Sequence, residues 1–326
     1  MTAFPEEPPA ATASMDPVLD LSATPPTEQR NPRTSDIDLL ATPAILARLH
    51  AEDALVPAAV RPALGALATV VDAATARVRE GARVHYFGAG SSGRIAMLDA
   101  AELLPTFGLA PGVVVAHLAG GPEAMARAVE GAEDDVRAGA ADAADVTGAD
   151  LVLGLSASGR TPYVAGALEA AAGRGAFTAL ATCNPGSPLR SLARAAIVAE
   201  TGPEALAGST RLKATSALKL IVNSFSTALM IRLGKTYSNL MVEMRATNDK
   251  LRARQVRILR EATGEAGPAC EAALAEAGGE LRVALVMLAS GTDRRRAADA
   301  LAAGDGSARA ALAALGGPPQ RSAPLG

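Results

Sequence analysis

Short apolar runs alternate with longer, Ala-rich segments through the middle of the chain. The runs are rich in Val, Leu or Ile, and they cover residues 83–90, 112–120, 150–158, 176–183 and 195–201. Near-continuous apolar strands separated by segments of helical length are typical of a parallel sheet that helices cover on both faces. The pattern therefore predicts an α/β domain with a doubly wound, five-stranded parallel sheet in three layers.

Apolar residues recur at helical spacing on both sides of this alternating region. Between residues 36 and 80 the spacing predicts two or three helices before the first strand, with prolines near their starts. Long amphipathic helices are predicted over 209–233 and 240–262, and three or four shorter ones over 267–315. We therefore expect a main domain over 28–262 and a small C-terminal helical subdomain over 263–316.

Both ends of the chain are predicted to be disordered tails. Residues 1–27 are rich in Pro, Ala, Thr and Glu, and they hold too few large apolar side chains to offset the entropy of ordering. Near the other end, a Gly-Gly pair followed by Pro-Pro terminates the last helix, so a second tail is expected over 317–326.

Composition excludes several classes of partner and site. The chain has 326 residues, 49% of them hydrophobic, and a net charge of −3, so no basic excess favours nucleic acid or an anionic membrane as the main partner. Cys183 and Cys270 lie far apart and lack ligand neighbours, which argues against a disulfide framework and a zinc site. No signal peptide or run of about 18 uninterrupted apolar residues is visible, so we expect a cytoplasmic protein without a membrane span.

A glycine-rich turn, YFGAGSSGRI at 86–95, follows the first predicted strand and opens the next helix. Gly88, Gly90 and Gly93 have the spacing of a dinucleotide fingerprint, and free backbone N–H groups at such a helix start favour a phosphate. A dinucleotide site also needs an acidic residue about 20 positions further on, at the end of the second strand. That strand ends AHLAGG, without Asp or Glu, so a smaller phosphate ligand is favoured.

Hydroxyl side chains crowd this turn and a second one, LSASGRTP, which follows the third predicted strand. We call residues 88–93 the first hydroxyl loop and residues 155–162 the second hydroxyl loop. The candidate ligand-binding residues in the two loops are Gly90, Ser91, Ser92, Ser156, Ser158, Gly159 and Thr161. Two strand-to-helix turns at the carboxyl edge of one parallel sheet suit a phosphate monoester, although each hydroxyl alone could simply cap a helix.

Two glutamates are the candidate acids and bases, because His85 and His117 lie inside predicted strands, where packed and hydrogen-bonded imidazoles are expected. Glu102 lies in LDAAELLPTFG, at the end of the helix that the first hydroxyl loop opens. Its neighbours are apolar, and a carboxylate among them is costly unless it is used or paired. Glu133 lies in AVEGAEDD, where a surface glutamate at a helix end is the competing interpretation.

Taken together, these motifs resemble the N-acetylmuramic acid 6-phosphate etherases, a bacterial family in the sugar isomerase (SIS) domain group. The resemblance covers about 28–262, continues loosely through the C-terminal helices, and is carried by TEQRN, GAGSSGRIAMLDAAELLPTFG, AVEGAEDD, ASGRTPYV, CNPGSPL, GSTRLKA and MIRLGKTYSNLMVEMRATNDKLRARQVRI. The chain departs from the family pattern at Thr215, where glycine is usual.

The resemblance implies a SIS-type fold and cleavage of the lactyl ether of N-acetylmuramic acid 6-phosphate, with no metal or organic cofactor. It places the family's catalytic carboxylates at Glu102, as proton donor to the departing lactate, and at Glu133, as base at C2. The two roles could be exchanged. It also implies a homodimer with the active site near the subunit boundary.

Basic residues follow the small-residue loops and could face the phosphate or the lactyl carboxylate. Lys213, on the helix opened by GSTR, is favoured over Arg94, Arg160 and Arg211. Two other functions stay open at this point. An aldose-ketose isomerase of the same fold group would also move a proton at C2 but release no lactate. A noncatalytic sugar-phosphate sensor is disfavoured, because no basic helix-turn-helix segment precedes the domain and only one pair of hydroxyl loops is visible.

Overall fold

A five-stranded parallel sheet lies at the centre of the computed structural model, which describes residues 24–244, 246 and 248–316. Its strands are β1 (Val84–Gly88), β2 (Val114–Leu118), β3 (Leu151–Leu155), β4 (Phe177–Thr182) and β5 (Ala195–Val198). They are arranged in the order β2-β1-β3-β4-β5, and every pairing is parallel. Each strand lies inside one of the predicted apolar runs, so the predicted α/β class and strand count are confirmed.

Helices cover both faces of this sheet. In chain order they are α1 (Thr42–Asp53), α2 (Val56–Val60), α3 (Leu64–Arg79), α4 (Gly90–Phe107), α5 (Val136–Asp142), α6 (Pro162–Gly173) and α7 (Lys213–Arg232). Successive side chains of a strand point to opposite faces. Tyr86 accordingly packs in a core with α2, α3, α4 and α7, whereas Phe87 packs in a second core with α5 and α6.

The C-terminal part of the chain has a core of its own. It contains a two-stranded hairpin, followed by α8 (Asp249–Thr263), α9 (Gly267–Glu276), α10 (Leu281–Ser290), α11 (Arg294–Ala303) and α12 (Ala308–Ala314). The core of this unit runs from Tyr237 to Leu312 and includes Ile258 and Leu259 of α8, so it starts upstream of residue 263. The four helices α9 to α12 agree with the number predicted there.

The helix predicted over 240–262 is wrong at its start. Residues Thr236–Tyr237 and Leu240–Met241 form the antiparallel strands β6 and β7, and α8 begins only at Asp249. Asn248 caps that helix, because its side chain accepts a hydrogen bond from the backbone N–H of Leu251 at 2.9 Å. A polar cap therefore ends the non-helical segment, although the apolar spacing continues through it.

The predicted N-terminal tail is ordered at its end. Pro26–Glu28 forms a 3₁₀ turn in which Thr27 is fully buried, and the Thr27 carbonyl accepts the N–H of Gly208 at 2.9 Å. The remainder of this tail, 1–23, and the other predicted tail, 317–326, lie outside the described residues.

Two helical stretches are long and apolar enough to cross a membrane by length and mean hydropathy, Thr42–Arg79 and Lys213–Arg232. The first is divided among α1, α2 and α3. The second is α7, which is half buried and packs against α2, α3 and α4 in the core of the sheet domain. The apolar character of α7 is thus explained in part by its packing within the domain.

The two strand histidines are packed as expected. His85 Nδ1 lies 3.1 Å from His117 Nε2, and the His117 ring stacks on Phe87 with 4.2 Å between ring centroids. Burial lowers the pKa of His85 to about 4, with the charge of His117 as the next cause, and burial also lowers the pKa of His117. Neither imidazole is well placed to be protonated in the folded chain near neutral pH.

These histidines predict acid sensitivity of the fold. In the unfolded chain a histidine binds its proton near pH 6.5, whereas folded His85 does so only near pH 4, so stability falls as pH drops through this window. At pH 5 the loss from His85 alone should be about 2 kcal/mol relative to pH 7. Urea unfolding of wild type and of His85→Leu at pH 5 and pH 7 measures this loss of stability. The control is His50→Gln, which replaces an exposed histidine. Equal pH dependence in wild type and His85→Leu would contradict the assignment.

Candidate active site

The two hydroxyl loops lie side by side at the carboxyl edge of the sheet. β1 and β3 are neighbours, and the Cα of Gly88 at the end of β1 is in register with that of Leu155 at the end of β3. The sheet grows from β1 toward β2 on one side and from β3 toward β4 on the other, so this is the topological switch point. Open α/β sheets bind ligands at that point.

Glycines let the first hydroxyl loop approach the sheet closely. A Cβ added at Gly93 would lie 2.5 Å from the carbonyl oxygen of Gly88, so α4 crosses the end of β1 with no room for a side chain. Gly90, the first residue of α4, has a φ of +52°. This close crossing explains the glycine spacing without a dinucleotide. Ser92 is buried and Ser91 is half-buried in the first turn of α4.

The second hydroxyl loop is held by hydrogen bonds among its own residues and to the turn that follows β4. Ser156 Oγ and Thr161 Oγ1 lie 2.8 Å apart. Asn184 Nδ2 donates to the carbonyl of Ser158 at 2.8 Å, and Ser187 Oγ donates to the carbonyl of Gly159 at 2.6 Å. The loop is therefore fixed in shape, while the Ser158 side chain is only half-buried.

The interpretation of these hydroxyls as helix caps fails for both helices, each of which is completely described. The N-cap residue of α4 is Ala89, and that of α6 is Thr161, whose side chain makes no capping hydrogen bond. Instead, the Thr161 hydroxyl bonds to Ser156. The first-turn N–H groups of both helices thus lack side-chain caps, as expected where an anion binds.

Asn184 and Ser187 are site residues that sequence reasoning missed. They follow β4, the strand next to β3, in the segment CNPGSPL. Their side chains support the backbone of the second hydroxyl loop from the adjacent position along the same edge. The sequence could have indicated these two residues, because a polar Asn-Pro-Gly-Ser turn that directly follows an apolar strand must lie at the carboxyl edge of the sheet.

The turn that carries Glu133 packs against the segment that directly follows β2. Glu133 belongs to the 3₁₀ turn Ala132–Asp134, and a Cβ added at Gly120, two residues after β2, would lie 3.2 Å from the Cβ of Ala132. Arg94, in the first turns of α4, donates from Nε to the carbonyl of Ala124 in the same connection at 3.0 Å. The segment that follows β2 is therefore tied to the start of α4, and the Glu133 side chain is exposed there.

Glu102 lies far from the hydroxyl loops of its own chain. It is on α4, twelve residues after Gly90, which places it about 18 Å along the helix. Its apolar neighbours do not bury it, since Glu102 is exposed and Leu98 and Leu104 are 50% and 53% exposed. A single sugar phosphate bound at the start of α4 is too short to reach it.

A buried carboxyl group fixes the orientation of this helix. Asp99 of α4 accepts hydrogen bonds from the Tyr86 hydroxyl of β1 at 3.1 Å and from Ser226 Oγ of α7 at 2.8 Å. Burial raises the pKa of Asp99 to about 6, against the opposing effect of these two hydrogen bonds. Leu98 and Glu102, four residues apart on α4, share a face of this helix that is exposed.

Lys213 is the first residue of α7 and is fully buried. Its Nζ donates to Glu52 Oε2 at 2.6 Å, and its backbone N–H donates to Glu204 Oε2 at 3.0 Å. The ammonium group predicted to bind substrate is therefore occupied by an ion pair with α1 and is closed to solvent in this chain. Contact between Lys213 and a ligand stays a prediction without geometric support.

A cavity of about 1010 Å³ lies elsewhere, among the C-terminal helices. It is lined by residues of segment 242–256 together with α9, α10 and α11, and none of its lining residues belongs to a hydroxyl loop. Across the described ranges, no group of three or more His, Cys, Asp or Glu side chains is arranged to hold a metal ion.

Known proteins were compared with this chain to identify its family. An N-acetylmuramic acid 6-phosphate etherase from Thermobifida fusca is 58% identical over 263 residues, which is 81% of this chain and 86% of the relative. The chain belongs to the N-acetylmuramic acid 6-phosphate etherase family. A second etherase of this name, from Serratia proteamaculans, is 48% identical over 287 residues, 87% of this chain and 97% of the relative. The resemblance inferred from the motifs is thereby confirmed.

The chain also matches the family model described as the glucokinase regulatory protein N-terminal SIS domain, over residues 66–172. These residues include β1, β2, β3 and both hydroxyl loops. Among solved structures, a phosphoheptose isomerase from Francisella tularensis is 20% identical with a TM-score of 0.45, and the match covers 57% of this chain and 95% of that one.

Proposed function

We propose that this protein cleaves the D-lactyl ether of N-acetylmuramic acid 6-phosphate to N-acetylglucosamine 6-phosphate and D-lactate, in the recycling of cell-wall sugars. The observation that carries the proposal is the 58% identity, over 81% of the chain, to a relative named for this activity. Two hydroxyl-rich helix starts at the sheet's switch point support it, because they suit the 6-phosphate of such a sugar.

The reaction needs an acid and a base, because an alkyl ether has a poor leaving group. In the ring-opened sugar, the aldehyde at C1 makes the C2 hydrogen acidic. A carboxylate removes that proton, and the C3–O bond breaks as a second carboxyl group protonates the departing lactate oxygen. Water then adds to the 2,3-unsaturated aldehyde, delivering hydroxyl to C3 and hydrogen to C2. Glu133 is proposed as the base and Glu102 as the acid.

A cytoplasmic homodimer is proposed to complete the site. The turn that carries Glu133 packs next to the carboxyl end of β2, whereas Glu102 is about 18 Å along α4 from the loop of its own chain. Glu102 of the partner subunit is therefore proposed to serve this chain's substrate. The exposed residues Leu98 and Leu104 beside Glu102, and Leu220 and Ile231 on the adjacent helix α7, support a face covered by protein.

Turnover in oxygen-labelled water tests the reaction. The pure protein is incubated with N-acetylmuramic acid 6-phosphate, and both products are analysed by mass spectrometry. The proposal expects D-lactate without label and N-acetylglucosamine 6-phosphate with label at C3. Epimerisation at C2 without lactate release would favour isomerase-type proton transfer, and tight binding without turnover would favour a sensor. Either result would overturn the proposal.

Ser158→Ala should weaken binding before it affects chemistry. A hydroxyl that donates to a phosphate contributes about 1.5–3 kcal/mol, so KM should rise at least about tenfold while kcat changes much less. Steady-state kinetics of D-lactate release measures both constants. Ser191→Ala is the control, since that exposed hydroxyl donates to the carbonyl of Pro188 outside the loops. An effect of Ser158→Ala on kcat alone would contradict the phosphate role.

A further inference from the structure

A cluster of buried charges lies where α7 begins. Lys213 and Glu204 are fully buried, and Glu52 is 3% exposed. Lys213 Nζ donates to Glu52 at 2.6 Å, and the Glu204 carboxylate accepts the backbone N–H groups of Lys213 and Ala214 at 3.0 and 2.9 Å. Isolated charges at this depth are costly, so each depends on its partners.

Glu52 joins this cluster to residues 25–35, which we call the strap. Its carboxylate also accepts hydrogen bonds from Asn31 Nδ2 at 2.8 Å and from Arg33 Nε and Nη2 at 2.5 and 2.8 Å. These hydrogen bonds, that of Arg33 first, lower the pKa of Glu52 to about 2. Glu52 is also the buried residue of α1, whereas Leu46 of this helix is 60% exposed. A carboxylate, more than an apolar face, attaches α1 to the domain.

The strap crosses the connection that leads from β5 to α7. Thr34 Oγ1 donates to the carbonyl of Ala205 at 2.8 Å, and the Thr27 carbonyl accepts the N–H of Gly208 at 2.9 Å. Thr27 and Thr34 are both buried. The residues that follow, Ser209–Thr210, are thus held from the N-terminal side.

The first turn of α7 is also linked to the second hydroxyl loop. Cys183, directly after β4, donates its N–H to the carbonyl of Ala157 at 3.1 Å, and its Sγ lies 3.6 Å from the carbonyl of Ala214. Thr215, where the family usually has glycine, donates its hydroxyl to the carbonyl of Thr210 at 2.7 Å. The start of α7 is therefore linked to the strap through Lys213 and Glu52, and to Ala157 of the second hydroxyl loop through Cys183.

We propose that Glu52 and Lys213 are positioning residues for the reaction, which hold the start of α7 against the second hydroxyl loop so that the sugar phosphate meets a preformed site. The inference rests on the proposed function and replaces the predicted contact of Lys213 with substrate. Stability alone does not explain the ion pair, because an uncharged pair of similar volume in its place is often neutral or stabilising.

The double variant Glu52→Gln/Lys213→Met separates positioning from stability. It removes the charges of both partners. An amide oxygen in place of Glu52 Oε2 can still accept hydrogen bonds from Asn31 Nδ2 and Arg33 Nη2, whereas the bond from Arg33 Nε to Oε1 is lost and the exposed Arg33 guanidinium can bind water instead. We expect a melting temperature close to wild type, but a KM for N-acetylmuramic acid 6-phosphate raised at least about tenfold, with a smaller change in kcat. Wild-type melting temperature together with wild-type KM would overturn the proposal. The exposed i,i+4 pair, replaced as Arg257→Gln/Glu261→Gln, is the matched control.

Thr34→Val tests the same positioning role through the strap and leaves Lys213 unchanged. It keeps the side-chain volume and removes the hydrogen bond to Ala205, so the strap should loosen and KM should rise severalfold. A direct contact between Lys213 and substrate predicts an unchanged KM in this variant. Wild-type KM in Thr34→Val would therefore overturn the proposal, and this variant decides if the double variant does not fold.

Calorimetric binding of N-acetylglucosamine 6-phosphate distinguishes this inference from the proposed reaction. Weaker binding to the double variant than to wild type supports positioning even if wild type releases no D-lactate, in which case the etherase assignment alone fails. If both proteins bind this ligand with equal affinity and wild type releases D-lactate, the positioning role of Glu52 and Lys213 is refuted and the proposed etherase reaction is retained.

Discussion

Glu102→Gln is expected to abolish D-lactate release while substrate binding is largely retained. The amide keeps the size of the side chain but cannot deliver a proton to the departing lactate oxygen, and a positioned acid contributes about 10²- to 10⁴-fold in rate. Coupled detection of D-lactate measures kcat, and calorimetry with N-acetylglucosamine 6-phosphate measures affinity. Glu80→Gln, at the exposed end of α3, is the control for loss of a surface carboxylate. Near wild-type turnover of Glu102→Gln would remove this residue from the mechanism.

Mixing two inactive variants tests which chain supplies Glu102. One partner carries Glu102→Gln with intact loops, and the other carries Ser91→Ala, Ser158→Ala and Thr161→Ala with Glu102 intact. If Glu102 serves the partner subunit, each mixed dimer has one complete site, and random assembly restores about a quarter of wild-type turnover. If it serves its own chain, no complete site forms. A mixture that assembles and stays inactive would therefore contradict the proposed arrangement.

The distance of Glu102 from the first hydroxyl loop could have been predicted from the spacing of residues along α4. Gly90 and Glu102 were both predicted on one helix, and twelve residues at about 1.5 Å each separate its start from the glutamate. That arithmetic alone places the two groups too far apart for one small ligand. The exposure of Glu102 could not be predicted in the same way, because apolar neighbours in sequence, such as Leu98 and Leu104, can face outward as well as inward.

The sheet and its loops were predictable for a different reason. Buried parallel strands read as continuous apolar runs, and a turn that follows such a run must emerge at the carboxyl edge. The strand order β2-β1-β3-β4-β5 was not predicted, because nothing local specifies which strands pair. The hairpin at Thr236–Tyr237 and Leu240–Met241 was missed because its two-residue strands are too short to show a period of two.

The partner of Lys213 lay beyond local reasoning. Glu52 is 161 positions away in sequence, and only the packing of α1 over the start of α7 brings the two charges together. The motif GSTRLK shows a lysine just after a small-residue turn, which is also what a phosphate-binding lysine would look like. Burial and the ion pair with Glu52 favour a positioning role for Lys213, and both depend on elements far away in the chain.

Gly159→Ala is expected to damage both the fold of the second hydroxyl loop and its affinity for phosphate. Gly159 has a φ of +66°, in the left-handed region that disfavours residues with a Cβ. An added Cβ would overlap the Ser187 side chain and lie 2.8 Å from Thr182 Oγ1. We expect a loss of about 1–3 kcal/mol in the free energy of unfolding and at least tenfold weaker binding of N-acetylglucosamine 6-phosphate.

Urea unfolding and calorimetry measure the two effects, and Gly173→Ala is the matched control. Gly173 is the last residue of α6, and an added Cβ there meets no atom within 4 Å, so this variant should bind normally and be as stable as wild type or slightly more so. In Gly159→Ala the free energy of ligand binding should be reduced by more than the free energy of unfolding. The reason is that Ser187 can make room for the new methyl group only by giving up its hydrogen bond to the Gly159 carbonyl, at 2.6 Å, which helps to hold the loop in shape. Wild-type affinity in a destabilised Gly159→Ala would mean that the second hydroxyl loop does not hold the phosphate.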